Sequence, residues 1–280
     1  MSNQMMTQQA YEPFLLPDMV QGGFTDEDLA DDMEGVTPSF QRIKIPGGGV
    51  TQFEMPSDNP DQPNYEQRLV GVIVYTHLSN AYWAGEKSED DDKDNPPTCQ
   101  AVTGKYGFGT PGGVCDTCKL NAFGSGKDSK GKACKNMRAL YFLRSGDMMP
   151  MILNLPPTSL KPYNDFANSA FLYRRRPIYA SVVEITITRK TAGGQNYGVA
   201  VFKRLRDFEG EELARISAYV KSFREQAKIG IEQRSEQIKA EAEGLVEREE
   251  LPMADLPSNE GHFALSGAPL IYGDVENLPA

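Results

Sequence analysis

Three of the chain's four cysteines, five lysines and an arginine fall within Gly112 to Arg138, "GGVCDTCKLNAFGSGKDSKGKACKNMR". The full spacing is Cys99-x15-Cys115-x2-Cys118-x15-Cys134, so every cysteine belongs to it. A Cys-x2-Cys turn aims two sulfurs at one ion, and two more thiolates close a tetrahedral Zn2+ site with no open position for catalysis. The N-terminus lacks a basic stretch followed by an apolar one, so no secretory signal is expected and the default compartment is cytoplasmic. In a reducing compartment clustered cysteines bind metal more often than they form disulfides. Residues 99–134 are too glycine-rich to bury much apolar surface, and structural zinc contributes on the order of 10 kcal/mol in small peptides. One structural zinc on Cys99, Cys115, Cys118 and Cys134 is therefore expected. An iron–sulfur cluster and unrelated buried cysteines are the competing readings.

The lysines raise a separate question, because the 280-residue chain carries a formal charge of −10. From Gln100 to Arg206 there are 17 Lys and Arg against five Asp and Glu, a net of +12; the remainder holds 12 basic and 34 acidic residues. A basic centre between acidic arms is a nucleic-acid signal that the overall charge conceals. A solvated lysine-rich loop is the bland reading, but the surplus extends well beyond the loop. Lys105, Lys119, Lys127, Lys130, Lys132, Lys135 and Arg138 surround the cysteines, and Arg174, Arg175 and Arg176 form a second cluster. Aromatics are interleaved: Tyr82, Trp83, Tyr106, Phe108 and Phe123. Cations suit phosphates and flat rings suit unstacked bases. Trp83, the only tryptophan, has core or lid packing as its competing role. Tyr141 and Phe142 must point to opposite faces of a strand, so at most one can stack on a ligand. His77 reads as a strand-end residue rather than a ligand.

These groups need elements to hold them. "SFQRIKI" and "VTQFEM" read as a hairpin around "PGGG". "RLVGVIVYTHLSNAYW" (68–83) reads as a long strand, and "RALYFLRS" and "MPMILNLP" as two more. "TSLKPYNDFANSAFLYRRR" reads as a helix capped by Thr158 or Ser159, with Pro162 in its first turn. "IYASVVEITITRK" and "NYGVAVFKRL" form a hairpin through "TAGGQ". Leu213, Ile216, Val220, Phe223 and Ala227 make an apolar helical stripe, expected to pack on the chain's own domain rather than in a coiled coil. Five strands with a helix between the third and fourth give a mainly β fold with helical appendages. The order is that of an OB-fold-like five-stranded barrel whose first loop is inflated into the zinc-binding insertion, followed by a long C-terminal helix. The expected organisation is an acidic disordered arm over 1–36, with a short amphipathic piece at Phe14 to Met19. An OB-like domain over 37–208 follows, with its insertion at 99–134. A helix over 209–250 and a flexible acidic tail over 251–280 complete the chain.

"PSFQRIKIP", "NAYW", "GTPGGVC", "C-x2-C-x-L-N-x-F-G", "GKACKN" and "LPPTSL" together resemble single-stranded-DNA-binding proteins of tailed phages and prophages that carry a four-cysteine metal-binding insertion. The resemblance covers about residues 38–205 and implies a role in DNA replication or recombination, OB-like β-structure and zinc.

The expected function is sequence-tolerant single-stranded DNA binding, with replication or recombination proteins recruited through the C-terminal tail and no membrane span. The location would be the host cytoplasm if the chain is phage-encoded. An iron–sulfur or zinc-containing nuclease is the enzymatic alternative, but the basic region offers no paired carboxylate motif for catalytic metals. A zinc-stabilised protein-binding scaffold or transcription modulator is the third reading. No catalytic residues are expected. Oligomeric state is not legible in the sequence.

Overall fold

The β-branched and aromatic run after Arg68 forms the longest strand of the computed structural model, which describes residues 13–17, 40–59, 61–85 and 97–242. The acidic tail expected over 251–280, the end of the helix expected to reach 250, and all of the 1–36 arm except 13–17 lie outside the described residues. In chain order the strands are β1 (Arg42–Ile43), β2 (Phe53–Met55), β3 (Asn64–Glu66), β4 (Arg68–Tyr82), β5 (Cys99–Ala101), β6 (Tyr106–Gly109), β7 (Gly113–Val114), β8 (Lys135–Leu143) and β9 (Met151–Leu155). Helix α1 (Pro157–Ala167), strands β10 (Ser181–Ala192) and β11 (Gln195–Asp207), and helix α2 (Gly210–Ala242) follow. The chain is thus mainly β with a long C-terminal helix. No helix among the described residues is long and apolar enough to cross a membrane.

β4 organises the sheet. Its first part pairs with β10, its remainder with β8 and its last three residues with β5, all antiparallel. β8 pairs with β9, and β10 with β11 through a two-residue Gly193–Gly194 turn. The register slips between Ile73 and Tyr75, leaving Val74 as an extra residue. A bulge of this kind reverses which face each later side chain takes. Leu69, Ile73, Leu140, Phe142, Leu153 and Ile185 form one core with Tyr163 and Phe166 of α1. On the other face Val72, Val74, Tyr141, Leu143 and Ile152 pack against Ile216, Val220, Phe223 and Ala227 of α2. The apolar stripe of α2 is therefore spent within the chain.

The strands do not close a barrel. The free edge of β9 is taken by β1, in parallel, at Ile152 and Leu153. On β11, the amide of Ala200 donates to the buried Ser159 hydroxyl at 2.9 Å. Both edges that closure would need are thus partly satisfied elsewhere. Ser159 is spent here rather than as a cap; the helix starts after Pro156 with no side-chain cap, and Pro162 lies inside it rather than in its first turn. The hairpin expected from "SFQRIKI" and "VTQFEM" shrinks to a single bridge between Lys44 and Glu54, while β2 pairs instead with β3, which has no clear sequence signature. Replacing Ser159 by Ala leaves the buried Ala200 amide without its acceptor. The variant is expected to lose about 1–3 kcal/mol, read from the denaturant midpoint.

Residues 13–17 are docked, not free. Phe14 and Leu16 are buried in the α2-side core, with Phe14 edge-on to Phe208 at 5.6 Å. The Leu15 amide donates to Ser145 Oγ at 2.9 Å and the Phe14 amide to Glu212 Oε1 at 3.2 Å. Glu212 is held in turn by both terminal guanidinium nitrogens of Arg206, Nη1 and Nη2.

Candidate nucleic-acid interface and cysteine module

The insertion is more regular than its glycine content suggests. β5 adds to the end of β4 with Tyr82 opposite Cys99, β6 pairs with β5, and β7 with β6. Three short 3-10 turns carry the chain from Cys115 to Ser129. The Cys118 amide donates to the Cys115 carbonyl at 3.3 Å, giving the tight turn that the x2 spacing requires, and the Cys134 amide donates to the Leu120 carbonyl at 2.9 Å. All four cysteines line one small cavity of about 20 Å3, together with Asn80, Tyr82, Gly107, Leu120 and Asn121. Gly107 is required by space: a Cβ there would stand 2.9 Å from Cys99 Sγ and 3.9 Å from Cys115 Sγ.

None of the four cysteines is in a disulfide. Burial, then the neighbouring thiols Cys115, Cys99 and Cys118, push the Cys134 thiol up to about 11. Burial also raises Cys115, against a hydrogen bond from Asn80. Among the described residues no three His, Cys, Asp or Glu stand as a finished ligand cage. The four cysteines share one cavity lining. Four soft sulfur donors facing one space have the chemistry for Zn2+. His77 is not among them; it packs against Tyr75 and Tyr141 within β4 and β8, its Nδ1 3.0 Å from the Leu78 carbonyl oxygen, and burial lowers its pKa.

Three asparagines bind the module to the sheet, and sequence reasoning did not single them out. Asn136 Nδ2 donates to Asn80 Oδ1 at 2.7 Å and to Asn121 Oδ1 at 2.9 Å. Asn80 Nδ2 donates to the Gly104 carbonyl at 3.1 Å and Asn121 Nδ2 to the Cys115 carbonyl at 2.8 Å. Each lies inside a motif that drew attention for other residues, in "NAYW", "C-x2-C-x-L-N" and "GKACKN".

The expected nucleic-acid residues divide into two groups. Lys105, Lys119 and Lys130 are exposed on the module. Tyr106 is 51% exposed, its ring 5.3 Å from that of half-buried Phe108, and Phe123 is 85% exposed. The others are used by the fold. Lys132 Nζ donates to Asn121 Oδ1 at 3.1 Å. Arg138 donates to Thr76 Oγ1 and lies over the Tyr163 ring at 5.0 Å. Lys135 is exposed but opposite Ala81, whereas Arg138 is opposite Leu78, so strand alternation puts them on different faces. A single phosphate track through both is not what the sheet offers. Tyr82 lines the cysteine cavity, and Trp83 is half-buried and engaged with its neighbours. Tyr141 and Phe142 do face opposite ways, but both are buried, so neither stacks on a ligand.

The arginine cluster stands apart from the module. Arg174 forks onto the Asp207 carboxylate, Arg176 donates to the Phe208 carbonyl at 2.7 Å, and Arg175 alone of the three is exposed without a contact of this kind among the described residues. These contacts fasten the end of β11, and β10, its partner, meets β4 at Arg68–Gly71, whereas the module meets β4 at Asn80–Tyr82. Arg174, then Ser181 and Arg204, hold the Asp207 carboxyl well below the usual carboxylate range. A depressed carboxyl stabilises the fold above its unfolded pKa of about 3.9 and loses that contribution as pH falls. Asp207→Asn is expected to be less stable at neutral pH and to flatten the stability-against-pH curve below about pH 4, read by thermal melts across pH.

Comparison with protein-family models, curated proteins and solved structures returns no match to this chain.

Proposed function

We propose that this chain is a single-stranded-DNA-binding protein for phage-type DNA replication or recombination, working by binding and not by catalysis. The observation that carries the reading is the cysteine module itself. One hydrogen-bonded unit presents exposed Lys105, Lys119 and Lys130 beside exposed Tyr106 and Phe123, inside the basic third of an acidic chain. The lysines would take phosphates and the rings would take bases, with little sequence preference. The strand order supports an OB-like ancestry, with β4, β8, β9, β10 and β11 as its five strands and α1 between the third and fourth. α2 covers the β4–β8–β9 face, so the strand would run over the module rather than across that face.

In this reading Cys99, Cys115, Cys118 and Cys134 hold one zinc ion, whose contribution is structural: it draws the ends of the insertion together. The buried apolar residues of 99–134 are only Ala101, Cys115 and Cys134, too little to order the segment alone. Residues 251–280 would recruit replication or recombination proteins, in the host cytoplasm.

The test is a fluorescence titration of single-stranded and duplex oligonucleotides at two salt concentrations. Affinity for single strands should exceed that for duplex and fall with salt, with a log–log slope of about −0.7 per phosphate neutralised. Lys130→Ala should reduce that slope by roughly 0.7. Tyr106→Ala should cost about 1–3 kcal/mol with the slope unchanged, because stacking releases no ions. Equal affinity for both forms, with no loss from Tyr106→Ala, would leave only nonspecific charge attraction and refute the reading.

A further inference from the structure

Phe123 stands out from every other aromatic side chain of the module. Tyr106 and Phe108 lean on each other, and a ring lying on a surface offers a ligand one face. Phe123 is 85% exposed, so both faces of its ring are open. A ring with two free faces can be sandwiched between two bases, whereas a surface platform can only be covered by one.

The loop that carries Phe123 is closed and laced on both sides of it. The Ala122 amide donates to the Lys119 carbonyl at 3.2 Å, and the Gly124 amide to the Gly131 carbonyl at 2.6 Å. Ser125 Oγ lies 2.8 and 2.7 Å from the Leu120 and Ala122 carbonyl oxygens, which share its single proton, and it accepts from the Ala133 amide at 3.1 Å. Gly126 lets the two limbs touch, since a Cβ there would stand 2.1 Å from the Lys130 carbonyl oxygen. Exposed Lys119, Lys127 and Lys130 belong to the same closed loop, so a polyanion is the partner that its charge complements. An exposed apolar ring on a hydrogen-bonded loop that also carries three exposed lysines has the build of a side chain that wedges between base steps.

We infer that Phe123 is a wedge that enters the stack at a junction of single- and double-stranded DNA, giving the protein a duplex-opening activity beyond the holding of single strands. The inference rests on the single-strand-binding reading above and adds a distinct action to it. The lysines hold the phosphates on either side of the junction while the ring takes the place of the neighbouring base. No bond is made or broken, and the opening is driven by binding alone.

The experiment uses the full-length protein and a forked duplex with 2-aminopurine at the first base pair, whose fluorescence rises when that base unstacks. Addition of the protein should raise the signal. Phe123→Ala should lower the equilibrium constant for opening roughly 5- to 150-fold, the range of one lost base–aromatic stack. Its salt slope on single strands and its thermal melt should match the parent. Phe123→Trp should restore opening. Phe123→Leu, which keeps an apolar wedge but loses the flat face, should open the junction less than the parent and more than Ala. An Ala variant that opens the junction as well as the parent overturns the wedge. A parent that binds single strands but leaves the junction closed also overturns it and leaves the binding function standing. A parent that binds neither substrate overturns both.

Discussion

Replacing Cys118 by Ser is expected to release zinc and make residues 99–134 the first site of proteolysis. The physical case lies in what the module has to hold it together. Its strands are two to four residues long, and its buried apolar side chains are an alanine and two of the cysteines themselves. Hydrogen bonds through Asn80, Asn121 and Asn136 set its orientation, but net hydrogen bonds contribute only about 1 kcal/mol each. A structural zinc contributes on the order of 10 kcal/mol in small peptides, so no other part of the module can replace it. Metal analysis of the purified variant and limited proteolysis check the result. Full metal content with an unchanged cleavage pattern would refute zinc on these residues, and a brown parent protein would favour an iron–sulfur cluster.

The second large effect is expected at Phe223. Its ring lies 5.8 Å from that of Phe40, 5.6 Å from Tyr141 and 6.0 Å from Tyr219, at the centre of the α2-side core. The same helix contacts β6 of the cysteine module, and buries Ile231 and Ile238 further along. Truncation to Ala removes packing for three rings at once and leaves a cavity, so Phe223→Ala should cost about 3–5 kcal/mol, measured by denaturant unfolding. It should also increase binding of a dye that reports exposed apolar surface. A loss below about 1 kcal/mol would mean that α2 is held chiefly by other contacts.

Much of the scaffold was readable one segment at a time. β4, β8, β9, the β10–β11 hairpin, α1 and α2 all carry a local signal: branched and aromatic runs for the strands, a 3-4 apolar stripe for α2. β3 and β5 to β7 carry none. They are two to four residues long, and they are strands because a neighbour offers them hydrogen bonds. The extra residue at Val74 is equally silent. Val, Ile and Tyr in a row read as strand with or without a bulge, yet the slip decides that Tyr75 faces α2 and Thr76 faces Arg138.

The candidate site shows the same division. Cys-x2-Cys, the lysine density and the presence of an aromatic at Phe123 are properties of residue type and spacing, and the sequence alone pointed to them; that Phe123 is exposed is a tertiary outcome. Which cations are available could not be read that way. Arg138, Arg174, Arg176 and Lys132 have the same chemistry as Lys119 and Lys130, but a tyrosine ring, a carboxylate, a backbone carbonyl and an asparagine engage them. Asn136 lies 15 residues from Asn121 and 56 from Asn80, and the three meet only once β4, β8 and the module are assembled. Sequence by itself determined the elements with strong local periodicity and the chemical character of the insertion, because these depend on a residue and its near neighbours. Tertiary structure alone decided the open sheet, the helix-covered face and the sorting of charges into structural and exposed. Those outcomes depend on partners far apart in the chain, and a hydrogen bond or ion pair satisfied by one such partner is no longer on offer to a ligand.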